Sequence, residues 1–302
     1  MSTTLPARST ARSSSFLGTS IFGASSALRV HLMKAFGAIG CVVGAVLGLV
    51  ILKVVGLIVV GLVGAVAGVF VGSATAASFS RRALDIVRSS VTAFEAEPAE
   101  EPRLFNLVES LSVVAGVSMP RVSVTAPEAS PSGAMNVMVL VDPAGASDAE
   151  IVVTADLARG MSRIALEGVV ATSMARIKSG HLEAQVEAAA LTIEGPWFVT
   201  KRVRERIVHE ANAAVDMFDI DVRACGYTRF PPGLAEAYEA MDAATTVTSA
   251  APESCDSLWL ASPRPTNGSR NDATAATSGS TVGQRDGERV TLAERIALLR
   301  EI

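Results

Sequence analysis

The chain has 302 residues, of which 49% are hydrophobic, and a formal net charge of −4. It is long enough for one sizeable core plus a membrane segment, and its charge gives no support for a nucleic-acid partner. Its three cysteines, Cys41, Cys225 and Cys255, show no paired spacing. They therefore indicate neither a disulfide framework nor a cysteine zinc site.

Residues 1–30 are rich in Ser, Thr, Ala and Gly, and they contain three arginines and no acidic residue. This composition predicts a disordered basic tail. The apolar run that follows begins too far from Met1 for a cleavable signal peptide, so we expect it to be retained.

Residues 31–77 are predicted to form a transmembrane hairpin of two helices, with the lipid bilayer as partner. From Ala35 to Ala77 the only charged residue is Lys53, and the run is about twice the roughly 20 residues that one spanning helix needs. A single helix would bury Lys53 near mid-bilayer at a cost of roughly 2.5–3.5 kcal/mol, whereas a turn there frees its ammonium to reach the headgroups.

Glycines at four-residue spacing mark one face of each predicted helix. They are Gly40, Gly44 and Gly48 in the first and Gly64, Gly68 and Gly72 in the second. Folding the chain back about Gly56 would place residue 40 opposite 72, 44 opposite 68 and 48 opposite 64, so that the two smooth faces meet.

Basic residues flank both ends of the hairpin. They are Arg8, Arg12, Arg29 and Lys34 before it and Arg81, Arg82 and Arg88 after it. By the positive-inside rule both flanks are cytoplasmic. We therefore expect a multi-pass protein of the cell membrane whose C-terminal domain faces the cytoplasm.

Residues 78–263 are predicted to form an α+β domain, mainly helical with a small β-sheet. Pro102 opens a helix that Gly116 ends. Three short β-branched runs predict strands, at residues 120–125, 135–141 and 150–154. Residues 264–289 are rich in Ser, Thr, Gly and Asn, which predicts a flexible linker. Residues 290–302 contain a capping box, Thr291 to Glu294, that predicts a final helix.

The stretch from Leu166 to His181 carries the main functional signal. Its apolar residues recur at three- and four-residue steps, the spacing of one helical face: Leu166, Val169, Val170, Met174 and Ile177. The sequence therefore predicts an amphipathic helix here.

The frame of this helix resembles the zinc helix of HtpX-type membrane metallopeptidases, where Leu-Glu-Gly-Val runs into Ala-His-Glu-x-x-His, a basic residue and Gly-Asp. Asp221, the run from Arg229 to Leu234, and Arg295-Ile296 with Leu299 resemble later segments of the same family in the same order. The resemblance implies a zincin-like metallopeptidase fold, with the last helix docked on the domain.

The resemblance fails where the catalysis of the family resides. Thr172 and Arg176 stand at the two histidine positions, Ser173 at the general base, and Met217 at the third zinc ligand. A hydroxyl is a poor zinc ligand, and a guanidinium has no lone pair to donate. We therefore expect no metal and no cofactor at these positions.

Two further hypotheses concern what replaces the zinc site. Because an unpaired buried guanidinium is costly, Arg176 is expected to form an ion pair with Asp216, Asp219 or Asp221. The pair Gly133-Ala134 stands where the family binds peptides as an added strand. It marks either a residual peptide groove or a core strand.

A third question concerns the segment after the central helix. Trp197 and Phe198 are followed by four basic residues, Lys201, Arg202, Arg204 and Arg206. They form either a surface that rests on anionic lipid or an ordinary solvated helix face.

The function expected from these features is that of a membrane-anchored, peptidase-like protein without catalysis, acting by binding proteins or peptides. The alternative is an active zinc metalloendopeptidase in the proteolysis and quality control of membrane proteins, with zinc held by other residues.

Overall fold

The computed structural model describes residues 26–145, 148–197, 199–213, 215–264 and 290–302, with side chains described except at 26–29 and 47–60. Most of the predicted tail and linker lies outside these ranges. The end of the predicted tail, residues 26–30, is helical rather than disordered, because it continues into the apolar helix that follows.

The first helix, α1 (Ser26–Ser90), reverses direction within its length. Along a straight helix Gly40 and Gly64 would lie about 36 Å apart, at 1.5 Å per residue. Instead the backbones of Gly40 and Gly64 lie against each other, with no room for a Cβ on either. The same close approach joins Gly68 to Phe36 and Gly72 to Leu32. Small residues are therefore required where the two arms of α1 meet.

The predicted register between the arms was wrong. Residue 40 contacts residue 64 instead of 72, and the contacting pairs share a midpoint at residue 52 instead of Gly56. The contact moves by eight residues, about two helical turns, so the glycine face of the second arm is still the one that packs. The side chain of Lys53 lies outside the described residues.

The membrane character of α1 rests on length and composition. Among the residues with described side chains, Gly61–Ser90 is long and apolar enough to cross a membrane, with a mean hydropathy of 1.8, and Val30–Val46 is a shorter apolar segment. Large apolar side chains within residues 39–46 and 62–71 are exposed. Insertion of both arms into a bilayer stays a prediction.

The reversal of α1 predicts a specific cross-link. A Cβ at Gly61 would lie 3.9 Å from the carbonyl oxygen of Cys41. Residue 61 therefore lies beside Cys41, and a short bifunctional thiol reagent should cross-link Gly61→Cys to Cys41. Mass spectrometry of the digested chain should find the two peptides linked, and the unsubstituted chain is the control. A straight α1 would keep the thiols about 30 Å apart and give no linked peptide.

The domain after α1 contains a four-stranded mixed sheet. Its strands are β1 (Ala93–Glu95), β2 (Arg121–Thr125), β3 (Val137–Val141) and β4 (Ala149–Val153). The order is β1-β2-β4-β3, with β2 and β4 parallel and the other two pairs antiparallel. The three predicted strands are confirmed, whereas β1 was missed because it is short and borders the acidic stretch Glu95–Glu101.

Eight further helices are described, which makes the chain mostly helical and confirms the predicted α+β class. They are α2 (Pro102–Ala115), α3 (Ala155–Gly160), α4 (Arg163–Ser179), α5 (Leu182–Glu194), α6 (Lys201–Ala213), α7 (Met217–Thr228), α8 (Pro231–Ala243) and α9 (Leu292–Leu299). Two short 3₁₀ turns lie at Pro127–Ala129 and Glu253–Leu258.

Helix α4 is the centre of the domain. The Ser162 side chain caps its first turn by accepting from the Ala165 N–H at 3.1 Å, and Gly180 ends it with φ of 74°. Helices α2, α5, α7 and α8 and strand β3 surround it. The predicted helix is confirmed, but it is not amphipathic, since its polar residues Thr172, Ser173 and Arg176 are buried as well.

The C-terminal part of α1 contacts the domain through α5. The Ser80 hydroxyl donates to the carboxylate of Glu187, and both groups are buried. A small apolar cluster extends this contact and includes Leu32, Ala76 and Leu191. Both arms of α1 thus contact the domain at their ends remote from the reversal, through Leu32 in the first arm and Ala76 in the second.

Candidate functional site

The two hydroxyls at the expected catalytic positions, those of Thr172 and Ser173, form hydrogen bonds within α4. Thr172 Oγ1 donates to the carbonyl oxygen of Gly168 at 3.1 Å, and Ser173 Oγ donates to that of Val169 at 2.9 Å. Both side chains are at most 1% exposed. Neither hydroxyl is positioned to activate a water molecule or to receive a substrate from solvent.

Helix α8 packs very closely against this part of α4. A Cβ at Gly168 would lie 2.9 Å from Leu234 Cα and 3.1 Å from its nitrogen, so the contact requires glycine. The close packing brings the Tyr238 hydroxyl to 3.5 Å from Thr172 Oγ1. An aromatic side chain therefore lies directly beside the first expected ligand position.

Tyr238 belongs to a buried polar cluster with Asp221 and Arg295. Arg295 Nε donates to Asp221 Oδ2 at 2.7 Å and Nη2 to Oδ1 at 2.6 Å, while the Tyr238 hydroxyl donates to Oδ1 at 2.6 Å. The Arg295 guanidinium also contacts the Tyr238 hydroxyl and lies 4.3 Å from the centre of its ring. Bidentate pairing of this kind is a strong charge-assisted interaction.

The cluster is closed to solvent, with Arg295 1% exposed and Asp221 and Tyr238 0% exposed. Burial raises the pKa of Tyr238 well above its usual value, so the phenol stays neutral and donates its proton. Burial alone would lower the pKa of Arg295, but its interactions with Tyr238 and Asp221 outweigh that effect and raise it. The cluster thus holds a buried ion pair beside the expected ligand position Thr172.

The structure gives the buried carboxylate Asp221 a partner that the sequence did not suggest. Asp221 was one of the three candidates to pair with Arg176, and the partner described for it is Arg295. The other two carboxylates lie on α7 in other roles. Asp216 accepts from the Phe218 N–H at 2.9 Å as the helix cap, and Asp219 pairs with Arg223 at 2.7 Å.

Arg176 donates to backbone carbonyls of the covering segment, by which we mean Ser257–Leu260. Nη1 lies 2.9 Å from the Leu258 oxygen and Nη2 lies 3.2 Å from the Ser257 oxygen. Arg295 Nη1 reaches the Leu260 oxygen of the same segment at 3.3 Å. Two buried guanidinium groups thus hold the covering segment in place.

The covering segment occupies the outer edge of β3. The Leu260 N–H donates to the Val137 oxygen at 2.8 Å, and Trp259 pairs with Met138. The pairing with β3 is limited to this isolated bridge, which follows a 3₁₀ turn. Arg176 holds the carbonyls that precede it.

The edge at Gly133-Ala134 is also filled. The Met135 N–H donates to the Thr245 oxygen at 2.7 Å, and Ala134 pairs with Thr245. Ala134 is fully buried. Of the two interpretations of this stretch, the structure supports the core one, and an added peptide strand has no free edge here.

The residues at the expected ligand positions do not fit a zinc ion. Met217, at the start of α7, is half-buried and packs against the apolar core, and a thioether, a permanent cation and an internally bonded hydroxyl are a poor donor set. Within the described ranges, no three His, Cys, Asp or Glu side chains lie close enough to hold a metal ion. No chemical step through zinc follows from this arrangement.

A cavity of about 290 Å³ opens beside α4, one turn before Thr172. Its lining is mainly apolar and includes a single carboxylate: Ile164, Glu167, Gly168, Thr228, Phe230 and Gly233. Ile164 and Phe230 are each 49% exposed. The cavity can receive one apolar or cationic side chain from solvent.

Sequence reasoning missed two members of the buried cluster. Tyr238 had no predicted role, and Arg295 was predicted only as part of the last helix docked on the domain. The signal that could have found them was the isolated Arg295 at a position between Leu292 and Ile296 on the apolar side of a short helix. Such a cation requires a buried carboxylate partner.

Comparison with known proteins found no matching family model, no matching curated protein and no matching solved structure.

Proposed function

We propose that this protein is a membrane-anchored, catalytically inactive relative of HtpX-type zinc metallopeptidases with a zincin-like fold, acting by binding a protein or peptide partner. Its two apolar arms would span the cell membrane and leave the domain in the cytoplasm. The family assignment depends on the sequence motifs around α4, α7 and α9.

One observation carries the proposal: Arg176, at the second expected histidine position, bonds to the covering segment that occupies the edge of β3. The residue that replaces a metal ligand therefore also helps to close the edge on which an extended peptide would lie. Loss of the metal site and loss of the peptide edge are two effects of one arrangement. Proteolysis needs both features, whereas binding at another surface needs neither.

The surface that we propose for binding is the cavity beside α4. It is mainly apolar with one carboxylate, Glu167, which favours a partner side chain that is apolar along its length and cationic at its end. The half-exposed ring of Phe230 forms one wall and supplies aromatic area typical of binding hot spots.

A peptide display screen tests this function. We expect the full chain, held in lipid nanodiscs, to enrich peptides that contain Lys or Arg, and Phe230→Ala to weaken their binding by about tenfold, or 1.4 kcal/mol. Phe94→Ala is the matched control, since Phe94 is 64% exposed and lies on β1, outside the cavity lining. Failure to enrich peptides, or equal losses in both variants, would contradict binding at this cavity.

A further inference from the structure

Helix α6 and the turn before it pack against the base of α1, by which we mean the ends of its two arms around Leu32 and Ala76. Val199, Ile207 and Ala211 are buried in one apolar cluster with Leu32 and Ala76 of α1. Val203 and Val208 pack at the edge of the same cluster. The apolar side of α6 is thus used to hold the two arms of α1.

The level of this contact along α1 is well defined. Large exposed apolar side chains of α1 lie within residues 39–46 and 62–71. Gly72 packs on Leu32, which is buried with Ala76 under α5 and α6. If the arms span a bilayer, as proposed above, the headgroups lie at about the level where this change from exposed to buried side chains occurs. This places α6 at the membrane surface.

The first half of α6 is basic on its exposed side. We define the basic face as Lys201, Arg202 and Arg206, all exposed. Lys201 and Arg206 have carboxylate neighbours on the same helix, Glu205 at 3.7 Å and Glu210 at 2.7 Å. Among the described residues, Arg202 has no carboxylate within 4 Å.

A large aromatic side chain accompanies the basic face. Trp197, four residues before Lys201, is 94% exposed, more than the other large hydrophobic side chains described as exposed. An exposed indole next to lysine and arginine is the combination that binds the headgroup region, where the ring enters the interface and the cations meet phosphate.

We infer that Trp197 and the basic face of α6 bind the anionic surface of the bilayer that α1 enters. This inference rests on the proposed membrane anchor and adds a second, peripheral contact to it. The occupant is lipid because the surface adjoins the base of the anchor and its charge complements anionic headgroups. The contact would fix how the domain is oriented over the membrane, which two helical arms alone leave free to tilt.

Tryptophan fluorescence can test this in the full chain, because its two tryptophans differ in environment. Trp259 is fully buried and Trp197 is exposed. The chain is reconstituted in nanodiscs whose lipids carry bromine near the headgroup, made either of phosphatidylcholine alone or with about a third phosphatidylglycerol. We expect strong quenching of the Trp197 signal in the anionic discs and weak quenching in the neutral discs. The Trp197→Phe variant supplies the Trp259 background.

Reversing charges on the basic face tests whether Trp197 is quenched because this face binds anionic lipid or only because α6 lies near the bilayer. Lys201→Glu with Arg202→Glu should shift the docking equilibrium by at least about tenfold and reduce quenching in anionic discs to the neutral level. Arg223→Glu with Arg300→Glu makes the same change in net charge at exposed sites on α7 and after α9, and it should leave quenching unchanged.

Three outcomes would overturn the inference: Trp197 unquenched in anionic discs, equal quenching in both lipids, or no effect of reversal on α6. In each case the chain must co-elute with the discs, so the anchor itself stands. A chain that fails to co-elute with either disc refutes the anchor and this inference together. Peptide binding through the Phe230 cavity can then be measured with the full chain in detergent micelles, so its outcome is independent of that result.

Discussion

Replacing Arg295 with leucine is expected to lower the free energy of unfolding by roughly 3–5 kcal/mol. The substitution leaves Asp221 as a buried carboxylate without its bidentate partner, and it also removes a donor from the Leu260 carbonyl. The fluorescence of Trp259, which is fully buried in the covering segment next to Leu260, should report the loss. Thermal and urea unfolding of the full chain in detergent micelles measure the effect.

Two further variants identify the cause of that loss. Arg300→Leu removes an exposed pair with Glu239 just after the same helix, so it should cost at most about 1 kcal/mol. Adding Asp221→Leu to Arg295→Leu removes the buried charge and should recover part of the stability. Equal losses for Arg295→Leu and Arg300→Leu would show that α9 contributes no buried ion pair to the domain.

The second large effect concerns proteolysis. We expect casein to be cleaved no faster with the purified chain than in buffer, with or without a chelator and with or without added zinc. The reason is that metal-assisted hydrolysis needs a firmly held ion and an open coordination position, while Thr172, Arg176 and Met217 supply neither. Chelator-sensitive cleavage that zinc restores would contradict this and would favour the zinc endopeptidase.

The parts of the fold that the sequence could predict have local causes. Helix α4 has its cap at Ser162 and its end at Gly180, and α9 has the predicted capping box at Thr291. The central strands are runs of β-branched residues. In each case the signal lies within a few residues of the structure that it produces.

The features that could not be predicted depend on distant contacts. Arg295 and Asp221 are 74 residues apart, and the sequence holds several carboxylates that could have paired with either arginine. The predicted register between the two arms of α1 was wrong because the glycines repeat every four residues. Registers that differ by a multiple of four residues therefore bring the same small face into contact. The burial of the polar side of α4 depends on how many elements surround it, which no local pattern encodes.

Zinc content distinguishes the inactive protein from the zinc endopeptidase. The full chain is purified from cells grown with zinc, without chelator at any step, and its metal is quantified by mass spectrometry. We expect far less than one zinc ion per chain, and the same low content in His181→Ala and His209→Ala. About one zinc ion per chain that either substitution abolishes would contradict this expectation.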